Sequence, residues 1–139
     1  MKRFLSSQEI DKYSSEIEEL IQHYKENCSN IGIDVETTMN LLRFCAQNGF
    51  CAFTDDFSAY FAGQITFDPF NGQQHGLQVG FYGKNPHQCL GLLKEFEKFC
   101  KTRGCSRIVL HTNYDHPKWV KILEHKGYTP KDICYDKKL

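Results

Sequence analysis

No stretch of this sequence approaches the roughly 20 consecutive apolar residues that a membrane-spanning helix needs. The opening residues, MKRFLSSQEI, carry two basic side chains but no apolar run of the kind that forms a secretory leader. Net charge is lacking too, because 17 basic residues balance 17 acidic ones. A nucleic-acid binder driven by overall charge needs a basic excess, so no nucleic-acid partner and no membrane partner is expected. Cysteines are present, but pairing signals are not. The seven thiols are odd in number and irregularly spaced: Cys28, Cys45, Cys51, Cys89, Cys100, Cys105 and Cys134. No CxxC pair occurs, and Cys100 with Cys105 across a helix end is at best a partial zinc signal. This usage points to reduced thiols, a cytoplasmic protein and no bound metal. Repeats, linkers and low-complexity segments are absent as well. One domain spanning residues 1–139 is expected, with 40% hydrophobic and 14% aromatic residues to fill its core.

What is present falls into alternating elements. Residues 6–28 read as a helix, with Ser6 and Glu9 as a capping box and Ile17, Leu20, Ile21 and Tyr24 on one face. A second helix starts near Asp34, runs to about Gln47 and stops at Asn48-Gly49. Phe50–Thr54 and Ser58–Phe67 read as strands around an Asp55-Asp56 turn. Asp68–Gly72 is a second turn, and the polar run Gln73–Gly76 reads as loop.

The stretch from Leu77 to Cys105 is the one around which the chain is organised. Leu77–Tyr82 is strand-like, and Gly83–Pro86 is a short turn. A helix comes next, with Leu90, Leu93, Phe96 and Cys100 at helical spacing and Gly104 as its stop. A strand, a tight turn and a helix head make an anion site, because free N–H groups and the helix dipole point outward there. Ser106–Thr112 then reads as a strand, Asn113–His116 as a loop and Pro117 as the start of a short helix ending at Gly127. A last strand is expected around Ile133-Cys134-Tyr135. This order predicts an α/β (α+β) domain with helices on the faces of a mixed sheet.

The stretch from Leu77 to Gly104 resembles, in position and length, the acetyl-CoA motif of the GCN5-related N-acetyltransferase (GNAT) superfamily. GCSRIVLHTN resembles the family's next strand. WVKILEHKGYTPKDICYDKKL resembles its closing helix, Gly-aromatic turn and last strand, with Tyr135, Lys137 and Leu139 in a Tyr-x-Lys-x-Leu pattern. The resemblance implies a GNAT-like, mainly antiparallel central sheet flanked by helices. It implies acetyl transfer from acetyl-CoA to an amine acceptor, a small molecule or a protein, by direct attack and without a metal.

The residues this implicates are specific. Val79, Gly80 and Phe81 would meet the pantetheine arm through their backbone, or form an ordinary central strand. Aligned on Leu92-Leu93, Lys84 takes the first position of the family's Arg/Gln-x-x-Gly-x-Gly/Ala signature, while His87 and Cys89 stand at its two glycine positions. Glycine there lets backbone approach phosphate without a Cβ, so Lys84 and His87 would supply side-chain charge instead. A shifted alignment gives one glycine role to Gly91. Backbone N–H groups of Gln88, Cys89, Leu90 and Gly91 are the diphosphate ligands the resemblance implies. Cys89 otherwise reads as packing. His111, near a strand end, reads as a general base or as a hydrogen-bonded structural histidine. Many relatives carry an acidic tyrosine where Leu123 stands here, and Tyr114 is the substitute. The alternatives are a non-catalytic protein on the same fold that binds a partner, and an unrelated α/β binding module. Exposed aromatics in the strand pair would serve a homodimer.

Overall fold

The computed structural model of the chain describes residues 1–28, 32–112, 117–131, 135 and 137–139. It opens with a two-residue strand, β1 (Lys2–Arg3), which nothing in the sequence pattern announces. The helix expected over 6–28 is two helices, α1 (Ser7–Lys12) and α2 (Ser14–Asn27), parted at Tyr13. The Tyr13 ring lies against Phe4 at 5.6 Å and Phe57 at 5.3 Å, so the break accompanies an aromatic contact that helix periodicity cannot reveal. The start is as expected. Ser6 accepts the Glu9 N–H at 3.3 Å, and the Glu9 carboxylate accepts the Leu5 N–H at 3.0 Å. Asp34 likewise caps α3 (Val35–Asn48) by accepting the Thr37 N–H at 2.9 Å.

Strands β2 (Phe50–Phe53) and β3 (Ala59–Phe67) come next, and then β4 (Gln74–Gly83). β4 therefore begins inside the expected loop. Gln74, His75 and Gly76 pair with Phe67, Thr66 and Ile65. Their polar and glycine side chains hide the strand in sequence, while the long hairpin supplies its backbone partners. The turn between β3 and β4 uses Gly72 at φ +70, a left-handed conformation that glycine adopts without a Cβ penalty.

Helix α4 (Pro86–Thr102), strand β5 (Arg107–Val109) and helix α5 (Pro117–His125) complete the described elements. Both helices end as expected, at Gly104 and Gly127. In each, the residue after the glycine returns its N–H to a helix carbonyl: Cys105 to Cys100 at 3.0 Å and Tyr128 to Leu123 at 3.0 Å. β5 is shorter than the expected Ser106–Thr112. Most of the last expected strand, around Ile133-Cys134-Tyr135, lies outside the described residues.

The sheet runs β1-β2-β3-β4-β5, antiparallel except for the parallel β4–β5 pair. This is the mixed, mainly antiparallel sheet expected. Both of its faces are covered, and that is why every residue of β2 is buried. Cys51, Phe53, Tyr60 and Ala62 pack with α1, α2 and α3 on one face. Phe50, Ala52, Ala59 and Phe61 pack with α4 and α5 on the other. Phe96 anchors the second face, with its ring 5.3 Å from Phe50 and 4.9 Å from Phe61. It sits where Gly63 leaves room, since a Cβ on Gly63 would strike the Phe96 ring.

Candidate functional site

The parallel pairing of β4 with β5 covers His75 with Arg107, Gly76 with Ile108 and Leu77 with Val109. β4 continues to Gly83, and no described strand pairs with that edge beyond Leu77. Two residues mark the parting. Val79 is an extra residue in β4, because the register steps from Gly63 opposite Gln78 to Ala62 opposite Gly80. Such a bulge bends and twists its strand. Gln78, buried at 8% exposure, reaches across, and its Oε1 accepts the His111 N–H at 2.8 Å. A side-chain amide thus satisfies a backbone donor that a continuing ladder would have taken. Sequence reasoning did not single out Gln78. A polar residue inside an apolar strand run was the available signal.

The parted strands have firm surroundings. On one face Phe81 packs against Phe61 at 6.2 Å and against Trp119 of α5 at 5.2 Å. The Trp119 indole is buried, and its Nε1 has no partner among the described residues. On the other face the Tyr82 hydroxyl stands 2.7 Å from His23 Nδ1, with the Tyr24 ring edge-on at 4.3 Å. Burial pushes the Tyr82 phenol up to about 12, so it stays protonated at neutral pH. Gly80 lies over Tyr60, and a Cβ there would come within 3.4 Å of the Tyr60 hydroxyl.

The head of α4 comes immediately after. Asn85 accepts the His87 N–H at 3.0 Å through its side chain and the Gln88 N–H at 3.0 Å through its carbonyl. Gln88 Oε1 in turn accepts the Asn85 N–H at 3.1 Å. Pro86 has no N–H to give. The first-turn donors that make a helix head attractive to anions are therefore engaged within the chain. Cys89 is buried under the end of β4, so close that a Cβ on Gly83 would lie 2.7 Å from its Sγ. Burial pushes the Cys89 thiol up to about 12, the opposite of what a nucleophilic thiol needs.

The residues read from the sequence gather along this line. Val79, Gly80 and Phe81 lie on the open edge. Lys84, His87 and Gly91 are exposed beside the helix head, while Gln88 and Leu90 are half-buried and Leu90 joins the α4–α5 core. His111 is exposed at the point of parting, tethered through its backbone to Gln78. Leu123 is buried in the core. Tyr114 lies outside the described residues. Among the described residues, no group of three or more His, Cys, Asp or Glu side chains gathers to hold a metal. No described helix is long and apolar enough to cross a membrane.

No family model and no curated protein matches the sequence. The likeness lies in the fold. The chain superimposes on a ribosomal-protein-alanine N-acetyltransferase from Brucella melitensis biovar Abortus 2308 with a TM-score of 0.69, covering 100% of both chains at 13% identity. It is also similar to an aminoglycoside acetyltransferase from an uncultured soil metagenomic sample, solved in complex with sisomicin. There the TM-score is 0.69 and the identity 13%, over 99% of this chain and 94% of that one. A protein of Thermus thermophilus aligns over 100% of this chain and 97% of its own, at TM-score 0.68 and 15% identity.

Proposed function

Because the chain has the fold of the GCN5-related N-acetyltransferases, we propose that it transfers an acetyl group from acetyl-CoA to a primary amine, on a small molecule or on a protein. The observation that carries this reading is the open edge of β4 beyond Leu77. A strand edge with unpaired backbone groups accepts an extended amide chain as it would another strand, and the pantetheine arm is such a chain. The coenzyme supplies the acetyl group as an activated thioester. The chain's part is to hold and polarise that thioester. Backbone amides around Val79, Gly80 and Phe81 would donate to its carbonyl, where negative charge develops in the transition state. His111 at the point of parting would take the amine proton, and Tyr114 would return one to the departing thiolate. Gln78 positions His111 by fixing its backbone.

The diphosphate end is unusual. With the His87 and Gln88 N–H groups engaged by Asn85, the exposed side chains of Lys84 and His87 would carry the phosphate charge. That same engagement favours a second reading, a non-catalytic protein on this fold that no longer binds coenzyme and instead docks a partner. The six free cysteines among the described residues suit a reducing compartment such as the cytoplasm.

A thermal melt with acetyl-CoA separates the two readings. A ligand at 100 times its Kd that binds only the folded state adds about 2.7 kcal/mol. The enzyme reading expects a saturable rise in melting temperature, together with release of coenzyme thiol when a panel of amines is added. No rise at millimolar acetyl-CoA would leave the second reading standing.

A further inference from the structure

Two guanidinium groups face one cavity at the end of α4 away from the parted strands. α4 has 17 residues, so its ends are about 25 Å apart. Arg3, on β1, lies over the Phe50 ring at 4.2 Å and over the Phe99 ring at 4.8 Å. Arg103, which closes α4, lies over the Phe99 ring at 4.6 Å. The cavity they line is open and holds about 390 Å³, room for a small molecule rather than a bare ion.

Charge in this cavity is not balanced. Neither arginine pairs with a carboxylate among the described residues. Lys98 and Glu95, also on its wall, neutralise each other at 2.8 Å, and the Met1 ammonium beside them pairs with Asp55 at 2.8 Å. The C-terminal dipole of α4 offsets part of the Arg103 charge, but Arg3 belongs to a strand. Arg3 gives one N–H to the Gly49 carbonyl at 3.0 Å, while its buried Nε–H has no acceptor among the described residues. Burial lowers the Arg3 pKa, Cys51 offsets part of that, and Arg103 adds a smaller push downward. Both guanidinium groups lie over phenylalanine rings, which leaves their N–H groups to meet a ligand. Beyond the buried Nε, Arg3 Nη1 and the Arg103 guanidinium make no hydrogen bond among the described residues, so donors on the cavity wall are left for an acceptor.

We infer that this cavity binds a small organic oxyanion, a carboxylate or phosphate on an apolar body, with its oxygens held by Arg3 and Arg103. The apolar body would rest on Phe99 and Leu5, which also line the cavity. Paired donors of this kind suit oxyanions because a planar guanidinium meets two oxygens at once. The site is separate from the open edge of β4, and acetyl-CoA has no part in it.

The test is an NMR titration of the arginine Nε–H signals with benzoate and, separately, with phenyl phosphate, ionic strength being held constant with sodium chloride. The inference expects both the Arg3 and the Arg103 signals to shift and saturate. The exposed-end variant Arg103→Gln should weaken binding at least tenfold, and Arg103→Lys should recover part of it. Tighter benzoate binding identifies a carboxylate as the natural group, and tighter phenyl phosphate binding a phosphoester. Signals that drift linearly with both probes, without saturating, overturn the inference. So does unchanged affinity in Arg103→Gln.

Discussion

The side-chain oxygen of Gln78 accepts the backbone N–H of His111 at 2.8 Å, just past the last paired residues of β4 and β5. This bond lets two parallel strands separate without stranding a half-buried donor. Replacing Gln78 by Met keeps the length and removes the acceptor. The expected loss is about 1–3 kcal/mol of folding stability in urea denaturation. Any acetyl transfer should fall as well, because His111 loses its tether. A loss below about 0.5 kcal/mol, with transfer unchanged, would deny Gln78 this role.

Asn85 stabilises the head of α4 and at the same time engages the His87 and Gln88 N–H groups. Asn85→Ala should cost about 1 kcal/mol, and Asn85→Gly only a few tenths. The glycine variant frees the His87 N–H at little structural cost. Its affinity for acetyl-CoA, read by calorimetric titration, should rise above that of the parent. Equal affinity would mean that the diphosphate never competes with Asn85.

Gly83 faces the Cys89 thiol and the Asn85 carbonyl, which a Cβ would approach to 2.7 and 2.9 Å. A backbone oxygen cannot swing aside as a side chain can. Gly83→Ala should therefore destabilise by about 1–3 kcal/mol. Trimming the thiol in Gly83→Ala/Cys89→Ala should restore only part of that, since the carbonyl contact persists. The melting temperatures of the three variants and the parent decide it.

Buried thiols set an alkaline limit. Burial pushes Cys89 up to about 12, and burial with Cys105 nearby pushes Cys100 up to about 12, both from 9.0. Below pH 9 these groups are protonated whether the chain is folded or not, so they add no pH dependence. Between 9 and 12 the unfolded chain loses protons that the folded chain keeps. The unfolded state then binds fewer protons, and stability falls as pH rises. The urea midpoint should be level near pH 8 and drop between pH 9.5 and 10.5. Cys89→Ala should make the drop shallower.

Much of this was legible in residue order, and the illegible parts share a cause. Asp34, Gly104 and Gly127 mark helix ends through local chemistry, and the helices start or stop there. The break at Tyr13 comes from contacts with Phe4 and Phe57. The strand at Lys2–Arg3 exists because β2 offers an edge. Gln74–Gly76 extends β4 because β3 and β5 flank it. Each depends on a partner distant in sequence. The site divides in the same way. Val79–Phe81 and the α4 head stand together as a strand-turn-helix pattern suggests, whereas the Gln78 bond across the parting is a tertiary event. His87 and Cys89, two residues apart at the head of α4, differ in space: one side chain is exposed and the other is core.

Amide hydrogen exchange along β4, with and without saturating acetyl-CoA, tests the central claim most directly. The account predicts slowed exchange at Val79, Gly80 and Phe81, where an extended arm would complete the sheet edge, with little change in β2. Unaltered exchange across those three residues, or protection confined to a different surface, would contradict it.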